Sequence, residues 1–454
     1  METTRTTFFT RDKNFYKTFF RLMLVVALQN LVAYSVNMLD NIMLGSYSQN
    51  ALSGAATVNQ IFFIVNQLAL SIGNALVAIC SQYWGKQETE EIRKLTGAAL
   101  ALSILIAAVV VTACTCMPER LLGIFTTSPE IIAEGKAYLG LLKWTFLLFM
   151  ISNLLIAMLR SVEVVKISFV ISVVSLITNG CINYTLIFGH FGFPQLGVSG
   201  AAIGTVVSRV IEMSINIIGG SRNLYLKDAI KMKKVPFDTT KEMLKRGLPL
   251  LCNEILWSIS IALISQSYST RGLVAVAAIN ITTTVTNFFM IVCYAMGNSI
   301  SIVVGQQLGA GEIERAKDYD LKMVFMNFIM CFTLAVVLFN VSIYIPQIYN
   351  TSVEVKNLAT SLLKVAACML PVISVYYSSY FTMRAGGKTF LTFLFDSGYT
   401  FVFTFMAALL LTRLTSLPIL IIYILVQCVD IPKATLGLIL VRKGIWVHNI
   451  VNDL

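Results

Sequence analysis

Apolar residues in this chain gather into runs of about twenty, and the charges fall mostly in the gaps between them. Ala98–Cys116 and Met323–Ile345 are two such runs. An α-helix of about twenty apolar residues crosses the hydrocarbon layer of a bilayer. Lipid offers the backbone no water to bond, so a crossing segment must be a helix or part of a closed barrel. Barrel strands alternate apolar and polar positions over about ten residues; these runs do not alternate. The pattern predicts spans near 18–44, 51–83, 95–117, 138–159, 167–189, 197–220, 247–269, 273–308, 320–346, 357–383, 390–412 and 416–441. The fold class expected is all-α and integral to the membrane, with twelve transmembrane helices. The second and eighth runs are longer than a bilayer needs, which predicts tilt or extension beyond lipid.

Composition agrees: 57% of residues are hydrophobic and 13% charged, where a soluble domain carries about 25% charged. A formal net charge of +11 would suit a nucleic-acid binder. The basic residues, however, lie in short gaps between spans and not on one soluble domain, so no nucleic-acid partner is expected. With the N-terminus inside, 25 of the 34 Lys and Arg fall on inner segments and seven on outer ones. Lys and Arg are in excess on the cytoplasmic side. Both termini are therefore expected in the cytoplasm, with the protein in a plasma (bacterial inner) membrane. The nine cysteines lie almost wholly within the runs and read as small apolar filler. The N-terminal stretch Met1–Lys17 is polar and basic and leads straight into a span, unlike a cleavable signal.

The chain also repeats. At a shift of 224 residues, Gly73-Asn74, Gln82 and Gly85 match Gly297-Asn298, Gln306 and Gly309; Arg160 matches Arg384, and Asn153 falls opposite Tyr377. Six spans per repeat keep both halves in one orientation, an arrangement common in secondary transporters. The expected organisation is an N-terminal six-helix lobe over 1–220, a basic linker over 221–246, a C-terminal six-helix lobe over 247–441 and a cytoplasmic tail over 442–454.

A charge at mid-membrane costs at least ~2.5 kcal/mol, so each carboxylate inside a span is a functional candidate. Asp40 shares a helical face with Asn30 and Asn37 in the first span. In the fifth, Asn179 and Asn183 are four apart, and Thr205 in the sixth could join them. Together they could form an oxygen-rich cage for Na⁺ or carry a proton on the one carboxylate; helix-to-helix bonding by the amides is nearly as good a reading. Glu254 lies near mid-depth of the seventh span and Asp396 two turns into the eleventh. Asp396, Asn37, Asn153 and Tyr377 are further candidates for proton or substrate contact. Asp430 and Lys433, three apart, are expected to neutralise each other, as are Arg209 and Glu212. Polar stripes run down the second span (Asn59, Asn66, Gln67, Asn74) and the eighth (Asn280, Asn287, Asn298) and suggest a wet cavity between halves.

Catalytic signatures are missing. Two histidines, His190 and His448, cannot supply zinc sites or a histidine triad. Gly386-Gly387-Lys388-Thr389 looks like the end of a phosphate-binding loop, but Thr382 stands where the leading glycine is needed. No enzyme activity and no cofactor are expected.

Several segments resemble the multidrug and toxic compound extrusion (MATE) transporters. Met38-Leu39-Asp40-Asn41-Ile42-Met43-Leu44-Gly45 with Ala51-Leu52-Ser53-Gly54 resembles their first-span signature. Gly297–Gly311, ending Gln306-Gln307-Leu308-Gly309-Ala310-Gly311, is similar to the repeated glycine-and-glutamine signature; Gly197-Val198-Ser199-Gly200-Ala201-Ala202 and Arg384-Ala385-Gly386-Gly387 match further. The resemblance implies a twelve-helix, two-lobe antiporter, expected as a monomer, that exports drug-like, cationic amphipathic compounds against Na⁺ or H⁺. It implies that Asp40, Asn179, Asn183 and Thr205 are cation-site positions, and that Glu254 is an acid used in another branch. A flippase for lipid-linked sugars is the alternative within the wider superfamily. Three departures stand out: Asn183 where some members carry an acid, Ala27-Leu28-Gln29-Asn30 where the first span usually has a proline, and Glu163 where glycine is common. The expected orientation has a direct check: a fluorescent protein fused after Leu454 should fold and fluoresce in the cytoplasm, and an exported alkaline phosphatase at the same point should stay inactive.

Overall fold

The computed structural model describes residues 12–222 and 237–452. Among these, twelve helices are long and apolar enough to cross a membrane: α1 (Lys13–Tyr47), α2 (Gln49–Gly85), α3 (Thr89–Cys116), α4 (Pro129–Ser161), α5 (Val165–Phe188), α6 (Val198–Gly219), α7 (Thr240–Ser269), α8 (Leu273–Gly309), α9 (Ile313–Val341), α10 (Val353–Ala385), α11 (Thr389–Leu414) and α12 (Ile419–Arg442). Most run past the apolar windows because helices continue where hydropathy stops. The start of α3 carries Glu90 and Glu91, acids that suit the positive end of the helix dipole. α4 opens nine residues before the apolar window, at Pro129, a residue pre-set for the first helical position. α9 stops at Val341, short of the apolar run's end, and Pro346 sits in a separate short turn, Ile345–Ile348. The longest helices are α2 and α8, at 37 residues each, the two singled out as over-long. Most of the expected linker, residues 223–236, lies outside the described residues.

The chain forms two compact units. One, here the N-side unit, comprises Leu28–Cys80 and Glu88–Gly247; the C-side unit comprises Met1–Ala27, Ser81–Gln87 and Leu248–Leu454. In the N-side unit the Arg160 guanidinium at the end of α4 donates twice to Gln29 Oε1 on α1, at 2.7 and 3.1 Å. Gln29 thus gives the proline-free α1 a lateral tie, and α1 is one continuous helix.

Two members of the repeat meet inside the C-side unit. A Cβ on Gly309 would lie 1.8 Å from the backbone oxygen of Gln82, and one on Gly85 would lie 1.9 Å from that of Gln306. Each glycine therefore admits the backbone of the other's helix, the small-residue crossing that membrane helices use. The segment after α12 locks the crossing: Gln82 Nε2 donates to Ala385 O at 2.8 Å, and Gln82 Oε1 accepts the Ile450 N–H at 2.7 Å. Trp446 and Ile450 are buried. Ahead of α1, Asp12 accepts the Tyr319 hydroxyl and the Asn14 N–H, both at 2.9 Å. These bonds hold its carboxyl below the usual carboxylate range, the Tyr319 bond contributing most.

The repeat extends to backbone conformation. Gln87 (φ 65°) matches Gly311 (φ 77°), and Glu163 (φ 62°) matches Gly387 (φ 68°), all just past helix ends. The turn requires the left-handed region at both copies, and glycine meets it without strain in the second copy alone. Gly309→Ala should lower stability by about 1–3 kcal/mol through overpacking. A fall in the thermal unfolding midpoint of the purified protein would register it, with Gly311→Ala as a control for backbone strain without a clash.

Candidate functional site

Asp40 sits in α1 about two turns from its end, and the helix brings it against α5 at a point where bulk is absent. A Cβ on Gly180 would lie 2.9 Å from Leu39 Cδ2, so the glycine admits α1 here. Asn183 Nδ2 donates to Asp40 Oδ1 at 2.5 Å and to Asn179 Oδ1 at 3.2 Å. Asn179 Nδ2 in turn donates to Thr205 Oγ1 at 3.4 Å, and the Thr205 hydroxyl is anchored on Ala201 O at 3.1 Å. Asn179 and Asn183 share a face because they are one turn apart, as the spacing predicts. Both are fully buried. The four residues named from the sequence thus form one chain of contacts across α1, α5 and α6.

Within this set of four residues, Asn183 Oδ1 is buried and unbonded. It faces α6 where a Cβ on Gly204 would approach to 2.0 Å. An orphaned buried acceptor costs about 1–3 kcal/mol, so the amide is held with its N–H toward the carboxylate at the expense of its oxygen. Nearby, Arg209 pairs with Glu212 at 2.6 Å, as expected from their spacing. The Arg209 guanidinium also lies over the Phe149 ring, 4.9 Å from its centre.

Other candidates fall elsewhere. Glu254, in the C-side unit, shares its electrostatic surroundings with Tyr294, Tyr380 and Arg384. Asn153 donates to Phe149 O at 3.3 Å, an ordinary bond within its own helix. Tyr377 bonds the Tyr294 hydroxyl at 2.9 Å. The side chain of Asn37 lies outside the described residues. Gly386–Lys388 forms the turn between α10 and α11, not a phosphate loop.

The pairing expected for Lys433 is corrected by the structure. Its ammonium bonds Asp396 Oδ1 at 2.9 Å and Thr400 Oγ1 at 3.1 Å, on α11, and not Asp430. The far oxygen of Asp396 accepts Asn253 Nδ2 at 3.2 Å. Helix α11 makes room by widening into π-type turns at Leu394–Gly398 and Thr400–Phe405, a distortion frequent at functional sites. Helix α12 is interrupted at Val429 between Ile419–Cys428 and Asp430–Arg442. Pro432 lacks the N–H that would continue the first segment, and the Tyr399 hydroxyl takes up Val429 O at 2.9 Å. Spacing within one helix could not show that a partner on a neighbouring helix would win. Sequence reasoning also missed Asp320, which is buried and accepts the Thr382 hydroxyl. The buried stripe Ala316, Asp320, Val324 and Asn327, at steps of four and three, was the available signal.

Family comparison completes the description. The MatE family model matches residues 26–185 and 249–396, about two-thirds of the chain and both repeats. The chain belongs to the MatE family. Among MatE relatives, the probable multidrug resistance protein NorM of Thermotoga maritima is 23% identical over 376 residues, covering 82% of this chain and 80% of its own. The probable multidrug resistance protein YoeA of Bacillus subtilis is 24% identical over 372 residues, covering 81% and 80%. The fold matches that of an outward-facing multidrug resistance MATE transporter of the MOP superfamily, with TM-score 0.87, 17% identity and coverage of 94% and 95%. A MOP superfamily transporter from Pyrococcus furiosus gives TM-score 0.87 at 16% identity over 94% and 95%. Family membership, the twelve apolar helices and the two-lobe fold make this a multi-pass membrane transporter.

The buried ion pair gives a test of the corrected pairing. Lys433→Met should destabilise by about 3–5 kcal/mol because it leaves Asp396 charged and unpaired. Adding Asp396→Leu should recover much of that loss, whereas adding Asp430→Leu should not; thermal unfolding of the three purified variants reads the difference.

Proposed function

We propose that the protein is a secondary active antiporter that exports organic, cationic and amphipathic compounds in exchange for inward H⁺ or Na⁺. The carrying observation is a single carboxylate, Asp40, bonded to a neutral amide inside a membrane-length helix. The multidrug resistance named for the NorM and YoeA relatives supports export as the direction of transport. In the outward-open state Asp40 takes an ion from outside. Its neutralisation removes the cost of holding a charge away from water, and α1 repacks against α5. The repacking lowers affinity for a cationic substrate, so ion and substrate act through one conformational equilibrium.

Of the two ions, the geometry supports the proton. Hard cations need several oxygen ligands. Here the amide face nearest Asp40 is the N–H of Asn183, and Asn179 Oδ1 is already an acceptor. A Na⁺ ion at Asp40, Asn179 and Asn183 would require the Asn183 amide to turn over. Glu254 is the second candidate acid. Asp396 reads as a structural carboxylate, given Lys433 and Asn253. The flippase alternative would need free Arg and Lys to hold a pyrophosphate. Arg160 is committed to Gln29, and Arg384 to Asn298 and the Phe381 ring, which favours a cation carrier.

The same reading places the protein in the plasma membrane with both termini cytoplasmic. Its lobes would be 1–220 and 247–441, joined by 221–246; it acts as a monomer without cofactor or enzymatic step. Asp40→Asn should abolish drug resistance conferred on a sensitive bacterial strain, with membrane insertion unchanged. Unaltered resistance at matched expression would refute the assignment of Asp40.

A further inference from the structure

We infer that the groove between α11 and α12 is a site for one anionic phospholipid, with an acyl chain along the groove and the headgroup phosphate on Lys388, Arg442 and Lys443. The groove encloses about 420 Å³. Leu391, Leu394, Gly398 and Val402 line it from α11 at steps of three and four, and Leu436 and Leu440 line it from α12. At Gly398 the floor is open: a Cβ there would meet nothing closer than Phe393 O at 3.6 Å and Leu394 Cδ2 at 3.8 Å, both of its own helix. Leu394, Val402 and Leu436 are exposed, so the groove faces out of the protein.

The lining calls for hydrocarbon. Tyr399 brings the only polar side-chain atom to it, and that hydroxyl already donates to Val429 O at 2.9 Å. A polar guest would leave its own groups unbonded there. From Leu391 to Val402 the helix rises about 16 Å at 1.5 Å per residue. One leaflet contributes about 15 Å of hydrocarbon, half of the bilayer's ~30 Å. A lipid chain therefore matches the groove end to end.

The charges at one end select the headgroup. Lys388 stands three residues before Leu391, and Lys443 three after Leu440, so helical spacing puts both on the groove's face where α11 begins and α12 ends. Arg442 is adjacent, and both it and Lys443 are exposed. None of the three side chains has a hydrogen bond or an ion pair among the described residues. Basic residues between helices at a membrane surface hold anionic lipid headgroups. A zwitterionic lipid would bring its own ammonium to this cluster. A second copy of the chain would need an acid on a lipid-facing surface to balance it.

Native mass spectrometry of the full chain, released from nonionic detergent, tests this with phosphatidylglycerol and phosphatidylcholine of identical chains. The wild type should take up one phosphatidylglycerol saturably and bind phosphatidylcholine about tenfold more weakly. Replacing Lys388, Arg442 and Lys443 together by Gln should weaken phosphatidylglycerol binding about tenfold or more and erase the preference. Gly398→Leu, which fills the groove and leaves every charge in place, should weaken both lipids. The same three-fold loss of charge at Lys13, Lys17 and Arg21, exposed residues of α1, should leave affinity within about twofold. Glycerol phosphate, which has no chains, should not compete in about hundredfold excess. Equal weakening by the two triple variants, wild-type affinity in Gly398→Leu, or competition by glycerol phosphate would overturn the site. So would a dimer in the wild-type spectrum that Gly398→Leu dissolves without changing lipid uptake. Neither the transported compound nor the coupling ion enters the measurement, so it stands or falls apart from the antiport scheme.

Discussion

Lipid supplies no hydrogen-bond partner, and every polar group within these helices must find one inside the protein. That constraint explains most of the polar chemistry seen here. Hydroxyls on the spanning helices turn back on their own turn, as Thr282 does to Ala278 O and Ser299 to Ala295 O, both within 2.9 Å. Some charged groups pair within one helix, as Arg209 does with Glu212, but others reach further. Asp40 reaches Asn183, Lys433 reaches Asp396, Arg160 reaches Gln29, and each contact joins two different helices. The same requirement that permits charge in the membrane therefore decides which helices associate.

Close approach is the second requirement, and the repeat supplies it. Gly85 and Gly309 occupy equivalent positions and admit each other's helix backbone. Gly180 and Gly204 do the equivalent service around Asp40 and Asn183, where a methyl group would meet Leu39 or the amide oxygen. The site is thus a local consequence of packing by small residues, with the polar contact made possible by the missing side chains.

The membrane architecture was legible because hydropathy reports burial in lipid directly: twelve runs became twelve helices. Helix ends were less so, since α4 begins at Pro129 among charged residues that a hydropathy window rejects. The Asp40 constellation could be read because the carboxylate is costly and Asn179 and Asn183 fall one turn apart. The Asp396–Lys433 contact could not. Local spacing offered Asp430 as the partner, and the choice was made by tertiary packing, aided by π turns in α11 that no 3.6-residue pattern encodes. Glu163 stood out in sequence as a departure from glycine, and its left-handed φ of 62° supplies the physical reason glycine suits that position.

On the antiport proposed here, ion and substrate need not touch. A carboxylate whose charge sets the contact between α1 and α5 can report ion occupancy through helix packing alone. The most direct measurement is efflux of an organic cation from proteoliposomes holding the purified protein, with H⁺ and Na⁺ gradients imposed separately. The account predicts efflux driven by an inward H⁺ gradient and absent in Asp40→Asn. Transport that follows the Na⁺ gradient alone, or that persists without the Asp40 carboxylate, would contradict it.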